Sequence, residues 1–204
     1  MFTEFELATM VEHPDIKAAT EQLKEQFKEQ EAQMIDLTNH DFLALAMMTP
    51  SVGIALANGS VSFFEERALN KKARKLSKGG YFLEKDPVVY YMKFLIKNWD
   101  TWRVPFLQLI RVTMDVTFNR ERVISDQSAH GELNENQFRL AIMKTPYVLI
   151  RYIGSFFMED DEDIFNARDI SEVEYKVMTE IGAELGLNEI PIFNKICETT
   201  FHIR

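Results

Sequence analysis

The chain has one cysteine, Cys197, so no disulfide can form within it. That absence fits a reducing compartment and sets aside the disulfide-stapled classes of small secreted domain. Glycine (8) and proline (6) are scarce over 204 residues. Few breakers and short turns favour helices over a many-stranded sandwich. Positive charge is also in deficit: 23 Lys and Arg stand against 32 Asp and Glu, a net charge of −9. Such a chain is repelled by phosphate backbones and by anionic bilayers, which argues against nucleic acid and membrane surfaces as partners. Four histidines leave little material for a histidine-based metal site. Glycine-rich phosphate loops, paired Cys/His zinc spacings and the G-x-S-x-G elbow are all missing.

Long apolar runs are missing too. The longest, Phe42 to Ala57, is short for a membrane span and contains Pro50, so it reads as a buried core helix. The start, Met1-Phe2-Thr3-Glu4-Phe5-Glu6, is acidic and lacks the basic and apolar regions of a signal peptide. The expected location is cytoplasmic.

What is present is a helical punctuation. Pro14, Pro87 and Pro191 stand where helices start, positions at which a missing N–H costs nothing. Thr38 with Asp41, Ser62 with Glu65, Asn134 with Gln137 and Ser171 with Glu174 have capping-box spacing. Asn58-Gly59, Gly79-Gly80 and Gly186 end helices. Ile16, Ala19, Leu23 and Phe27 follow helical periodicity, as do Phe106, Leu107, Ile110 and Met114. These signals predict an all-α fold of about eight helices.

A repeat is layered on this order. Asp36-Leu37-Thr38, Asp41-Phe42, Met47, Thr49-Pro50, Val52 and Ile54 match Glu132-Leu133-Asn134, Gln137-Phe138, Met143, Thr145-Pro146, Val148 and Ile150 in spacing. The match predicts a tandem pseudo-duplication of a four-helix unit. The halves would be 1–98 and 99–204, joined near Asn98 to Arg103 and packed as one body. In both, the Thr-Pro pair should kink its helix or shift its start.

The junction Ala57-Asn58-Gly59-Ser60-Val61-Ser62-Phe63-Phe64-Glu65 resembles the A-D-G-x-[IV]-S-x-x-E junction of the tellurite-resistance TerB-like helical family. Asp169-Ile170-Ser171-Glu172-Val173-Glu174, with Glu180 to Leu187 beyond, is similar to the same junction and its helix. The resemblance covers these junctions and their flanking helices. It implies an all-α domain, and some members carry acidic metal sites at such junctions. Asn58 stands where that family has Asp, which removes a carboxylate from the first junction.

Candidate sites follow. The run Glu159-Asp160-Asp161-Glu162-Asp163, with Asp169 and Glu172, is a dense set of like charges that a divalent cation would relieve. Asp160, Asp161, Asp163, Asp169 and Glu172 are the expected ligands; a solvated loop is the competing reading. Asp126, Ser128, His130, Gly131, Leu133 and Gln137 have spacing similar to an EF-hand loop. Gln137 lacks the closing carboxylate and His130 offers nitrogen, so a capped loop without metal is the reading there. Tyr90, Tyr91, Trp99 and Trp102 lie close together and offer anchors for a protein partner, with core packing as the alternative. Lys71, Lys72, Arg74, Lys75 and Lys78 form the one basic run, suited to an acidic partner or to a helix's wet face.

Three functions remain. The first is a non-catalytic, TerB-like interaction module that binds a protein partner, with a divalent cation at the acidic loop. The second is a metal-dependent hydrolase, because His13, His40-Asp41 and Asp115 follow an order that resembles the ligands of HD-type phosphohydrolases. The third is a structural subunit of an assembly, held through the aromatic junction.

Overall fold

Most helices with a marked start begin where a side chain takes up an orphan N–H of the first turn, while those opening at Trp99, Tyr147 and Pro191 begin without a side-chain cap. The computed structural model describes residues 1–31, 37–79, 86–128, 134–158 and 166–204. Helix α1 (Glu4–Val11) starts in a complete capping box between Thr3 and Glu6. Helix α2 (Pro14–Glu31) opens on its proline. The Thr38 hydroxyl accepts from the Asp41 N–H to begin α3 (Asn39–Ala55), and Ser62 with Glu65 boxes the start of α4 (Phe63–Leu76). Asp86 caps α5 (Pro87–Lys97), and α6 (Trp99–Thr117) follows after Asn98. Beyond it come α7 (Arg120–Ser128), α8 (Glu135–Lys144), boxed by Asn134 and Gln137, and α9 (Tyr147–Phe157). Ser171 and Glu174 box α10 (Glu172–Glu184), and Pro191 opens α11 (Pro191–Thr200). Gly186 carries the positive φ angle that ends α10 just past its cap Leu185, and Gly59 and Gly79 carry positive φ angles in the turns that follow α3 and α4.

Helix α3 is the axis. Every residue from His40 to Pro50 is buried, followed by Val52, Gly53 and Ala55. A helix apolar on all sides needs neighbours on all sides. Helices α1, α2, α4, α5, α6, α9 and α10 supply them. Phe27 of α2 is the aromatic centre of one side, edge-on to Phe42, Tyr91, Trp102 and Phe106 at 4.9–5.8 Å. Each such ring removed from water contributes about 1.5–3 kcal/mol. On another side, Gly53 lets Trp99 and Ile181 lie directly on the α3 backbone. Helix α1 closes a further side. The Phe2 N–H donates to Ser155 Oγ at 2.7 Å, and Phe2 meets Tyr152 edge-on at 4.8 Å. Arg151 pairs with Glu6. Burial would raise the Glu6 carboxyl, but Arg151 and the Thr3 amide and hydroxyl hold it below its ordinary value.

The all-α class stands, and the helix count changes. Eleven helices are present among the described residues, not about eight. Two of the three additional ones are α1 and α7, both short and weakly periodic in sequence. The third comes from the two Thr-Pro pairs, which behave differently. Pro50 sits inside the unbroken α3, where packing on all sides enforces helix. Pro146 separates α8 from α9: Thr145 turns extended at ψ 138, as residues before proline prefer. There the Thr145 hydroxyl donates to Ala141 O and accepts from Gln127 Nε2, so the break is satisfied. The last departure is a short parallel pair, β1 (Arg168–Ile170) with β2 (Phe201–Ile203), a non-local pairing without a local signal. No helix among the described residues is long and apolar enough to cross a membrane.

A Cβ at Gly53 would lie 2.7 Å from Ile181 Cδ1 and 2.9 Å from the Trp99 ring. Gly53→Ala is therefore expected to destabilise the fold by about 1–3 kcal/mol, read as a lower urea midpoint. An unchanged midpoint would contradict the close approach of α3, α6 and α10.

Candidate functional site

Helix α4 divides its residues between two faces. Leu69, Lys72, Ala73 and Leu76 are buried, at the three-and-four spacing of one stripe. Lys72 belongs inside, which corrects its expected place in a wet basic run. Its Nζ donates to Ser51 Oγ of α3 at 2.7 Å and to Met158 O after α9 at 3.4 Å. Ser51 Oγ in turn donates to Phe156 O at 3.1 Å. A cation is well placed against the last carbonyls of a helix. The end of α4 is tied down similarly. His40 Nε2 meets Leu76 O at 2.9 Å, and Ser77 Oγ donates to Asp86 Oδ2 at 2.8 Å.

The opposite face of α4 looks into water. Phe63, Glu66, Arg67, Asn70, Lys71 and Arg74 line an open groove along it. Arg67, Lys71, Arg74 and Lys75 are exposed, and Lys78 follows just past the helix end. Phe63 and Phe64 are 73% and 79% exposed, their rings 5.9 Å apart and edge-on to each other. Glu66 pairs with Lys93 of α5 at 3.3 Å. An exposed aromatic pair beside a row of cations is a surface suited to anionic, partly apolar ligands. This face is half-visible in the sequence: the basic run stands out, while Phe63 and Phe64 read only as part of a helix start.

The other expected sites fare differently. Tyr91 and Trp102 are 0% and 3% exposed, so half of the proposed aromatic anchors are core. Tyr90 and Trp99 are half-buried and packed against that core. The physical reason is that Phe27 and Gly53 offer these rings more apolar contact than water does.

Among the expected cation ligands, Asp160, Asp161 and Asp163 lie outside the described residues. Asp169 stands on β1 and pairs with Arg204. Glu172 is exposed in the first turn of α10, where negative charge is favourable without any ion. The four residues in HD-type order are spent elsewhere. His13 lies beside Asp15, His40 takes the Leu76 carbonyl, the Asp41 carboxylate accepts from the Thr38 hydroxyl, and Asp115 holds Arg120. Among the described residues, no three His, Cys, Asp or Glu side chains gather into a group that could hold a metal.

The EF-hand-like stretch is helical through Ser128, not loop. Asp126 pairs with Arg122, and Gln137 Oε1 accepts from the Asn134 N–H to close the cap. His130, Gly131 and Leu133 lie outside the described residues. Gln127, which no sequence motif marks, is buried and joins three elements. Its Nε2 donates to Thr145, and its Oε1 accepts from the Ile192 N–H at the start of α11. Arg120 does comparable work: its Nη1 donates to the carbonyls of Leu185 and Gly186 where α10 ends.

No family model, curated protein or solved structure matches the chain.

Cys197 is buried, and burial first, then the Glu198 charge, pushes its thiol up to about 12. A folded-state value above the unfolded one contributes stability that is complete below the unfolded pKa and is lost as pH rises through the folded pKa. Stability is expected to fall between about pH 9 and 12, and less steeply in Cys197→Ala; a parallel fall in both proteins would contradict this. The native thiol should react with a thiol reagent at pH 8 on the order of a hundredfold more slowly than in urea.

Proposed function

We propose that this chain is a non-catalytic helical interaction module whose α4 face docks an acidic segment of a protein partner. The observation that carries the reading is the exposed row Arg67, Lys71 and Arg74 beside exposed Phe63 and Phe64, on a chain of net charge −9. A local cationic strip on an acidic body orients an approaching anionic segment toward one face. The acidic body opposes nucleic acid, whose charge continues far beyond the strip.

Magnitudes suit a reversible contact. Exposed ion pairs contribute about 0.2–1 kcal/mol each. Covering a phenylalanine contributes about 1.5–3 kcal/mol. Less an association cost of at least about 4 kcal/mol, the expected affinity is no tighter than about 0.1 mM. The inner face of α4, held by Lys72 and His40, keeps the outer face in register for such a partner.

Kinship with TerB-like domains is part of the proposal. Its support is that both junction signatures form complete capping boxes, at Ser62 with Glu65 and at Ser171 with Glu174. Tandem descent of the two halves is also proposed, on the shared caps at Thr38 and Asn134 ahead of the two Thr-Pro pairs.

Fluorescence anisotropy with a labelled poly-glutamate of about 20 residues tests the docking face. Saturable binding that weakens with salt and falls at least about tenfold in Arg67→Glu/Arg74→Glu is expected. Equal binding by that folded variant, or none by the parent protein, would overturn the proposal.

A further inference from the structure

The α4 face also constrains the shape of its occupant. We infer that the docked segment is an acidic α-helix lying antiparallel to α4; this rests on the docking reading above. Arg67, Lys71 and Arg74 recur at four and three residues along one side of α4, so their Cα atoms are about 6 and 10.5 Å apart along the axis from Arg67. A second helix carrying carboxylates at the same spacing presents them at the same intervals. An extended strand offers same-side positions at about 6.7 and 13 Å, which loses register by the third pair. The groove is a helix face with its ridges exposed, the surface onto which another helix packs.

Charge order sets the direction. Glu65 and Glu66 lie in the first turn of α4 and Arg74 and Lys75 in the last. An antiparallel partner brings its N-terminal turn, where acidic residues are favoured, to Arg74 and Lys75. It also brings its C-terminal half to Phe63 and Phe64, so its apolar anchors belong there.

Two peptides of about 18 residues and identical composition separate the claims. In the first, glutamates at i, i+3 and i+7, the α4 spacing read in reverse, share one face, with leucines near the C-terminus. In the second, the same residues are scrambled around the helix. The first is expected to bind at least about tenfold more tightly and to gain helical circular dichroism on binding. A nitroxide on its N-terminus should broaden the resonances of Arg74 and Lys75 rather than Phe63.

Equal binding of both peptides, abolished by Arg67→Glu/Arg74→Glu, would overturn the helix while leaving the docking face. Broadening at Phe63 would overturn the antiparallel order. Loss of binding for neither peptide in that variant would overturn the docking face itself. Binding to phosphatidylglycerol vesicles as tight as to the first peptide would assign the face to lipid and overturn the inference.

Discussion

Helix α3 has no wet side, and the architecture is arranged to satisfy that demand. Seventeen residues without a Lys, Arg or Glu can sit stably in water only if other elements surround them. Helices from both ends of the chain are drawn in: α1 and α2 from the start, α9 and α10 from well beyond the middle. The backbone approach at Gly53, the ring cluster around Phe27 and the tie from Phe2 to Ser155 serve this enclosure. Even the polar groups near α3 are enlisted. Ser51 links Lys72 to the end of α9, and His40 takes a carbonyl at the end of α4.

The outer face of α4 gains its character from the same arrangement. Because Leu69, Ala73 and Leu76 must cover α3, the helix cannot roll to hide Phe63 and Phe64. Lys72 and His40 fix its rotation through directional bonds, which apolar contact alone would leave looser. The aromatic pair and the cations therefore stay presented to water as a consequence of core geometry. Exposure of large aromatics in a fixed frame is what separates an interaction surface from ordinary surface scatter.

Much of the fold was legible because its determinants are local. Capping boxes at Ser62, Asn134 and Ser171 span three residues, and the opening prolines of α5 and α11 act on one bond. The uncharged run in α3 stated its own burial. What sequence could not state is non-local. Helix α7 has Val123 and Gln127 on its inner side, and the Gln127 partners lie 18 and 65 residues away. The pairing of β1 with β2 joins residues about as remote in sequence. Identical Thr-Pro letters gave a continuous helix in one place and a break in the other: enclosure holds α3 helical through Pro50, while Thr145 takes the extended backbone that residues before proline prefer and Gln127 bonds to the break. Of the candidate site, the charges of α4 were readable, but Lys72 pointing inward and Tyr91 and Trp102 lying in the core depend on tertiary neighbours.

Native-state hydrogen exchange across the chain tests the central claim most directly. If α3 is the enclosed axis, its amides from Phe42 to Ala55 should exchange only through global unfolding, with the highest protection in the molecule and a shared dependence on denaturant. Exchange of α3 at lower free energy than α6 or α9, by local opening while those helices remain protected, would show that the rest of the structure does not depend on it.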